Sequence, residues 1–179
     1  MFGALTKELN SILKRDPAAG SKWEIFWFYP GLKAIRAYRF AHWLYGHRLR
    51  FLALYLTARA RRKTGIEIHP GARIGKNLFI DHGMGVVIGE TAVIGDNCTL
   101  YQQVTLGGTG KAGFSAQGKR HPTLGNNVLV GAGAKVLGPF TVGDHAKIAA
   151  GAVVLETVPP GATVAGVPAK IKKIKAKEQ

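Results

Sequence analysis

The chain has 179 residues, 46% of them hydrophobic, with 25 Lys and Arg against 10 Asp and Glu for a net charge of +15. That is enough for one packed domain with an appendage, while no apolar run approaches the roughly 18 residues that cross a bilayer, which excludes a membrane-spanning chain. Lys7 and Glu8 interrupt the start where a secretory leader would need apolar residues, so a cytoplasmic setting is expected. The basic excess falls in two stretches, Arg36 to Lys63 and Lys170 to Lys177. It suits nucleic acid, anionic membrane, phosphorylated cofactors or plain solvation equally, so charge alone names no partner. The single cysteine, Cys98, stands where a small apolar side chain is wanted and is read as packing.

Residues 1–64 read as helical. Phe2, Leu5, Leu9, Ile12 and Leu13 recur at helical spacing. Asp16-Pro17 reads as an N-cap followed by proline at the first helical position. Pro30-Gly31 is punctuation, Leu32 to Tyr45 is a further helix ended by Gly46, and Leu49 to Arg62 is one more.

From Gly65 the period changes to six. Aliphatic residues fall at Ile74, Ile80, Ile88, Ile94, Leu100 and Leu106, then at Leu124, Val130, Val136, Val142, Ile148 and Val154. A small or apolar residue recurs four places later, and glycine often comes directly after the aliphatic residue. Six matches neither a helix nor a plain alternation. It predicts short strands joined by corners, three to a coil, stacked around one column: a parallel β-helix over 65–158. The glycines are expected to relieve corners of positive φ. Coil ends need covers, which the helices and the basic tail 159–179 can supply. The phase breaks at the eight-residue step from Ile80 to Ile88 and at the glycine-rich stretch 107–122, read as a protruding loop.

Interruptions of a regular scaffold are where function is sought. The first holds His82, within Asp81-His82-Gly83-Met84-Gly85. Imidazole suits general-base work near neutral pH, with a satisfied turn histidine as the plain alternative. The second ends in Lys119-Arg120-His121-Pro122, where a guanidinium can pair with a carboxylate or be solvated. His42 and His47, five apart on a helix, do not form a metal site, and no metal is expected.

Asp81-His82-Gly83-Met84-Gly85, Gly89-Glu90-Thr91-Ala92, Val104 to Gly110, Lys119-Arg120-His121-Pro122, Gly131 to Lys135 and Gly166-Val167-Pro168-Ala169 closely resemble the serine O-acetyltransferases. So do Arg15 to Ala18 and Tyr38 to Leu44. The resemblance implies that the β-helix is left-handed and that an acetyl group moves from acetyl-CoA to the hydroxyl of L-serine, with no permanently bound cofactor. It implies His82 as general base, oriented by an acid at Glu67, where the family normally has aspartate. Asp16 and Asp81 would hold the serine ammonium, Arg120 with His121 its carboxylate, and Glu90 would support them. Acetyl-CoA would lie in a groove between subunits lined by Gly108, Thr109, Ala132 and Ala150, its phosphates near Lys147, Lys170 and Lys172. Backbone N–H groups near Gly108 are a source of oxyanion donors. A homotrimer is implied, with a pair of trimers left open. The ending Lys177-Glu178-Gln179 lacks the isoleucine by which many relatives dock into the next enzyme of cysteine synthesis, which argues against that complex. Competing readings are a related acyltransferase with a sugar or antibiotic acceptor, a metal-dependent hydratase on the same fold, and a nucleic-acid-binding module, the last without interleaved aromatics to support it.

Overall fold

The structure, a computed structural model, describes residues 2–110 and 118–174. The middle of the expected loop, 111–117, and the ending Lys177-Glu178-Gln179 lie outside the described residues. Four helices come first: α1 (Phe2–Arg15), α2 (Lys22–Phe28), α3 (Pro30–Gly46) and α4 (Arg50–Thr64). None is long and apolar enough to cross a membrane. Pro30 opens α3 at its first position, where its missing N–H costs nothing, and Gly65 closes α4 at φ 71°. Asp16-Pro17 does not start a helix. Asp16 follows α1, its Oδ1 accepts the Ala18 N–H at 2.9 Å in a local turn, and the next helix begins only after Ser21, which caps Glu24 N. Aspartate beside proline serves an Asx turn as well as a cap, and only the following residues decide between them.

The rest is a left-handed parallel β-helix of very short strands. Its three faces alternate along the chain. The first face stacks β1 (Glu67–Ile68), β4 (Val87–Ile88), β7 (Thr105–Gly107), β10 (Lys135–Leu137) and β13 (Val153–Val154). The second stacks β2 (Arg73–Ile74), β5 (Val93–Ile94), β8 (Thr123–Leu124) and β11 (Thr141–Val142). The third stacks β3 (Phe79–Ile80), β6 (Thr99–Leu100), β9 (Leu129–Val130), β12 (Lys147–Ile148) and β14 (Ala162–Ala165), with β15 (Lys170–Ile174) antiparallel on its end.

Every aliphatic position of the six-residue period takes its place in these ladders, for example Ile88 on Leu106 on Val136 on Val154. A two-residue strand makes too few ladder bonds to persist alone. The column of buried side chains holds it, each fully buried Ile or Leu contributing about 1.5–3 kcal/mol. Further rungs flank the counted series. Ile68, in phase six residues before Ile74, opens the first face, while Val158 bridges Val142 and Val164 ends the third face out of phase, because a step of only four residues, from Val154 to Val158, shortens one corner. Parallel pairing thus runs past residue 158 to Val164.

The glycines after the aliphatic residues do not carry positive φ, contrary to expectation. The left-handed residue comes second in the corner: Asn77, Asn97, Asn127 and His145 at one edge, all between 55° and 59°. The glycine instead allows coils to touch. A Cβ on Gly95 would stand 2.6 Å from the Gly125 carbonyl oxygen of the next coil.

Helix α3 covers the opening of the column. Ala34, Ile35 and Tyr38 join the coil core, the Tyr38 hydroxyl donates to Ala72 O at 2.6 Å, and Gly31 lies so close to β3 that a Cβ would meet Ile80 O at 2.2 Å. Cys98 is fully buried and its Sγ donates to Gly125 O at 3.1 Å. Burial pushes its thiol from about 9 up to about 11. The native state therefore holds the thiol proton more tightly than the unfolded chain. That contribution to stability is complete below pH 9 and declines as pH rises toward 11. A thiol reagent at neutral pH is expected to label Cys98 only as fast as the chain unfolds; immediate labelling of the native protein would contradict this burial.

Candidate active site

The insertion between β3 and β4 turns the third face into the first through Asp81-His82-Gly83-Met84-Gly85. His82 is held at φ 57°, a conformation sparsely populated by residues that carry a Cβ, and Gly83 and Gly85 are also left-handed. The loop is pinned where Gly85 N donates to Gly65 O at 2.9 Å and Gln103 N donates to Met84 O at 2.8 Å. The His82 ring stands free, its side chain 76% exposed, with Nε2 3.8 Å from Asp81 Oδ1.

The turn after α1 brings a second carboxylate to the same place. Tyr29, at the head of α3, donates its hydroxyl to Asp16 Oδ2 at 2.5 Å. Burial, then Asp16 and, more weakly, Asp81 push that phenol well above its ordinary value, so both carboxylates lie within electrostatic reach of Tyr29. Asp16, Asp81 and His82 thus gather at one edge of the prism. Glu67 does not join the ring in the single chain: Arg61 donates to its Oε2 at 2.7 Å, and among the described residues no hydrogen bond or ion pair links it to His82.

The 108–122 segment leaves the first face after β7 and enters the second at β8, so it crosses a different edge. Here Arg120 Nη2 donates to Glu90 Oε2 at 2.9 Å, and Tyr45 from α3 donates to Glu90 Oε1 at 3.0 Å. Burial alone would raise the Glu90 carboxyl, but the Tyr45 hydroxyl, His69 and Arg120 outweigh it and hold it below the usual carboxylate range. His121 packs over Gly89, where a Cβ would stand 2.2 Å from its ring. Burial, reinforced by Arg120, keeps this imidazole below its ordinary pKa. Gly108 lies under Arg120, with room for a Cβ only 3.2 Å from Arg120 O, and Thr109 is exposed beside it.

The other expected groove residues follow the His82 edge downward. The Gln102–Gln103 corner sits under the His82 loop, Gly133 N donates to Gln102 O at 2.9 Å and Gly151 N to Ala132 O at 2.8 Å, so the Ala132 and Ala150 corners follow one and two coils further down the same edge. Small residues keep this edge low. Lys147 is exposed on β12 of the adjoining third face, and Lys170 and Lys172 are exposed on β15 of that face. One chain therefore groups His82, Asp81, Asp16, Ala132 and Ala150 on one edge, and Glu90, Arg120, His121, Gly108 and Thr109 on another. The β1-β4-β7-β10-β13 face lies between them.

Three contributors went unassigned in the sequence: Thr91, Tyr45 and Tyr29. Thr91 anchors the whole Lys119–His121 run, accepting the N–H groups of Arg120 and His121 on its hydroxyl and the Lys119 ammonium on its carbonyl. A lone threonine carries no spacing signal. Only its place in the resembling Gly89-Glu90-Thr91-Ala92 segment pointed toward it. His145, by contrast, belongs to the corner ladder of the third edge, its N–H donating to Asn126 O at 2.8 Å.

Comparison with known proteins bears on this geometry. The bacterial transferase hexapeptide (six repeats) model matches residues 121–156. The chain is 58% identical over 166 residues to serine acetyltransferase of Helicobacter pylori strain J99, spanning 93% of this chain and 95% of that protein. Among solved structures, serine acetyltransferase of Brucella abortus strain S19 in complex with coenzyme A superposes with a TM-score of 0.92 at 44% identity, covering 98% of this chain and 68% of that one. The Neisseria gonorrhoeae serine acetyltransferase in complex with serine gives a TM-score of 0.89 at 41% identity, covering 96% and 69%.

Proposed function

Because the chain belongs to the serine acetyltransferase family, it moves the acetyl group of acetyl-CoA to the hydroxyl of L-serine, giving O-acetyl-L-serine and CoA, and we propose that His82 is the base of that transfer. The observation that carries the residue assignment is the split of complementary groups between two edges of one prism. Neither edge alone offers a base, an ammonium site and a carboxylate site. Three copies around a threefold axis would set the His82 edge of one against the Arg120 edge of the next, completing one site at each of three junctions.

Serine brings one cation, one anion and one hydroxyl. Asp16 and Asp81 take the ammonium, and Arg120, kept extended by Glu90, takes the carboxylate in a charge-assisted pair. His121 lies beside the carboxylate. The hydroxyl then faces His82, which removes its proton as the oxygen attacks the thioester carbon. Backbone N–H groups near Gly108 meet the resulting oxyanion. When the C–S bond breaks, the imidazolium returns its proton to the departing CoA sulfur, so base and acid are the same ring. Holding the two reactants in one groove replaces a bimolecular encounter by an oriented step.

Glu67 orients the His82 ring in this scheme, exchanging Arg61 for imidazole once substrate is bound. Acetyl-CoA lies along the low edge formed by Ala132 and Ala150, across from the partner's Gly108 and Thr109. Lys147, Lys170 and Lys172 lie on the face where its phosphates would rest. A cytoplasmic setting suits the reduced thiol of Cys98.

The acceptor is tested by following CoA release with L-serine against a panel of sugars, amino alcohols and other hydroxy amino acids. L-Serine is expected to exceed the rest clearly in kcat/KM. Equal rates across the panel would sink the amino-acid clamp.

A further inference from the structure

His121 has a defined proton arrangement even without substrate. The Thr91 hydroxyl oxygen accepts two N–H groups, from Arg120 at 2.9 Å and His121 at 3.1 Å. Both of its lone pairs are then used, and its own hydrogen must be given away. The acceptor within reach is His121 Nδ1, 2.8 Å from the Thr91 oxygen. The Thr91 backbone N–H donates to the same Nδ1 at 3.1 Å. Two donors aimed at one ring nitrogen leave no room for a proton on it. The remaining proton of the neutral ring must therefore sit on Nε2, which finds no hydrogen-bond partner among the described residues. Gly89 completes the seat, since any Cβ there would collide with the Cδ2–Nε2 edge.

We infer that Thr91 is a positioning residue that fixes His121 as a neutral Nε2–H donor aimed at an anionic oxygen of bound substrate. The inference rests on the reading of this edge as the carboxylate side of the serine site, and it divides labour between the two histidines. His82 stands with few constraints and can take a proton. His121 has its acceptor nitrogen occupied, so it can only offer one. Protonating His121 would turn Nδ1 into a third donor in a cluster of donors, which burial and the neighbouring Arg120 also oppose. The ring is thus a hydrogen-bond donor of constant charge, which keeps serine binding insensitive to its titration.

The test uses the intact enzyme labelled with ¹⁵N-histidine, the His121 signals being those lost in His121→Asn. In the wild type, His121 is expected to show a protonated Nε2 and an unprotonated Nδ1 throughout the neutral range. Thr91→Val keeps the backbone N–H but removes the hydroxyl. It is expected to give a tautomer mixture that protonates at higher pH, and to raise the serine KM about tenfold with a smaller change in kcat. Thr91→Ser should restore both. A proton on Nδ1 in the wild type would overturn the inference, as would Thr91→Val with unchanged tautomer and unchanged serine KM. Should Thr91→Val not fold, the wild-type tautomer still decides. Ring tautomer is read without substrate, so a wild-type enzyme that shows the Nε2–H ring but ignores serine would count against the site reading alone.

Discussion

Replacing His82 by alanine is expected to lower kcat by at least about a hundredfold, within the 10²–10⁴-fold range of general-base catalysis, while the thermal midpoint stays near that of the wild type. The two halves of this expectation have separate causes. Only a group within reach of the serine hydroxyl can take its proton as the thioester is attacked, and His82 is the ring exposed at the edge that also carries Asp16 and Asp81. Folding is spared because the side chain is 76% exposed, so its removal opens no cavity. The left-handed backbone at φ 57° strains alanine about as much as histidine. His82→Asn, with a side chain that tolerates this conformation, provides a control for the backbone. Turnover near the wild-type level in either variant would remove His82 from the mechanism.

The second large effect concerns the proposed junction between copies. Arg120→Ala should raise the serine KM by roughly ten- to a hundredfold, the scale of one lost charge-assisted pair. The decisive result comes from mixing. When His82→Ala and Arg120→Ala chains, each nearly silent at serine well below the wild-type KM, are co-expressed in equal amounts and assayed at that serine concentration, activity should return to about a quarter of wild type. A junction is intact only when its His82 comes from an Arg120→Ala chain and its Arg120 from a His82→Ala chain, two independent chances of about one half each in a cyclic trimer. If both groups of each site came from one chain, every site would carry one lesion and mixing would restore nothing. The fold makes the first outcome the expected one, because the full β1-β4-β7-β10-β13 face separates the two clusters within a chain.

Much of this was legible in the residues, for physical reasons that also mark where reading stops. A column of buried aliphatics imposes a strict period, so twelve rungs from Ile74 to Val154 could be placed by counting. Counting failed at Val158 and Val164, because a corner cut to a four-residue step shifts the phase, and a period search sees only constant phase. Asp16-Pro17 misled because its local chemistry fits a cap and an Asx turn alike. The corner glycines were found but given the wrong cause: close approach between coils, rather than a positive φ, excludes a side chain. His82 was legible because it interrupts the pattern. Thr91 was not, since its importance lies in hydrogen bonds, three of them through its hydroxyl, to residues about thirty positions away, and no spacing within the chain encodes them.

The reversal at β15 limits growth of the protein. A stack of parallel coils has no intrinsic last layer, since each rung offers the next the same hydrogen-bonding register. Left open, it would template a further copy and propagate as a fibre. By folding back antiparallel onto β14 and setting Lys170, Lys172 and Lys173 on the outermost strand, the chain offers a newcomer the wrong polarity and a repelling charge. On this face the stack therefore closes at β15, which offers no parallel register to a further coil.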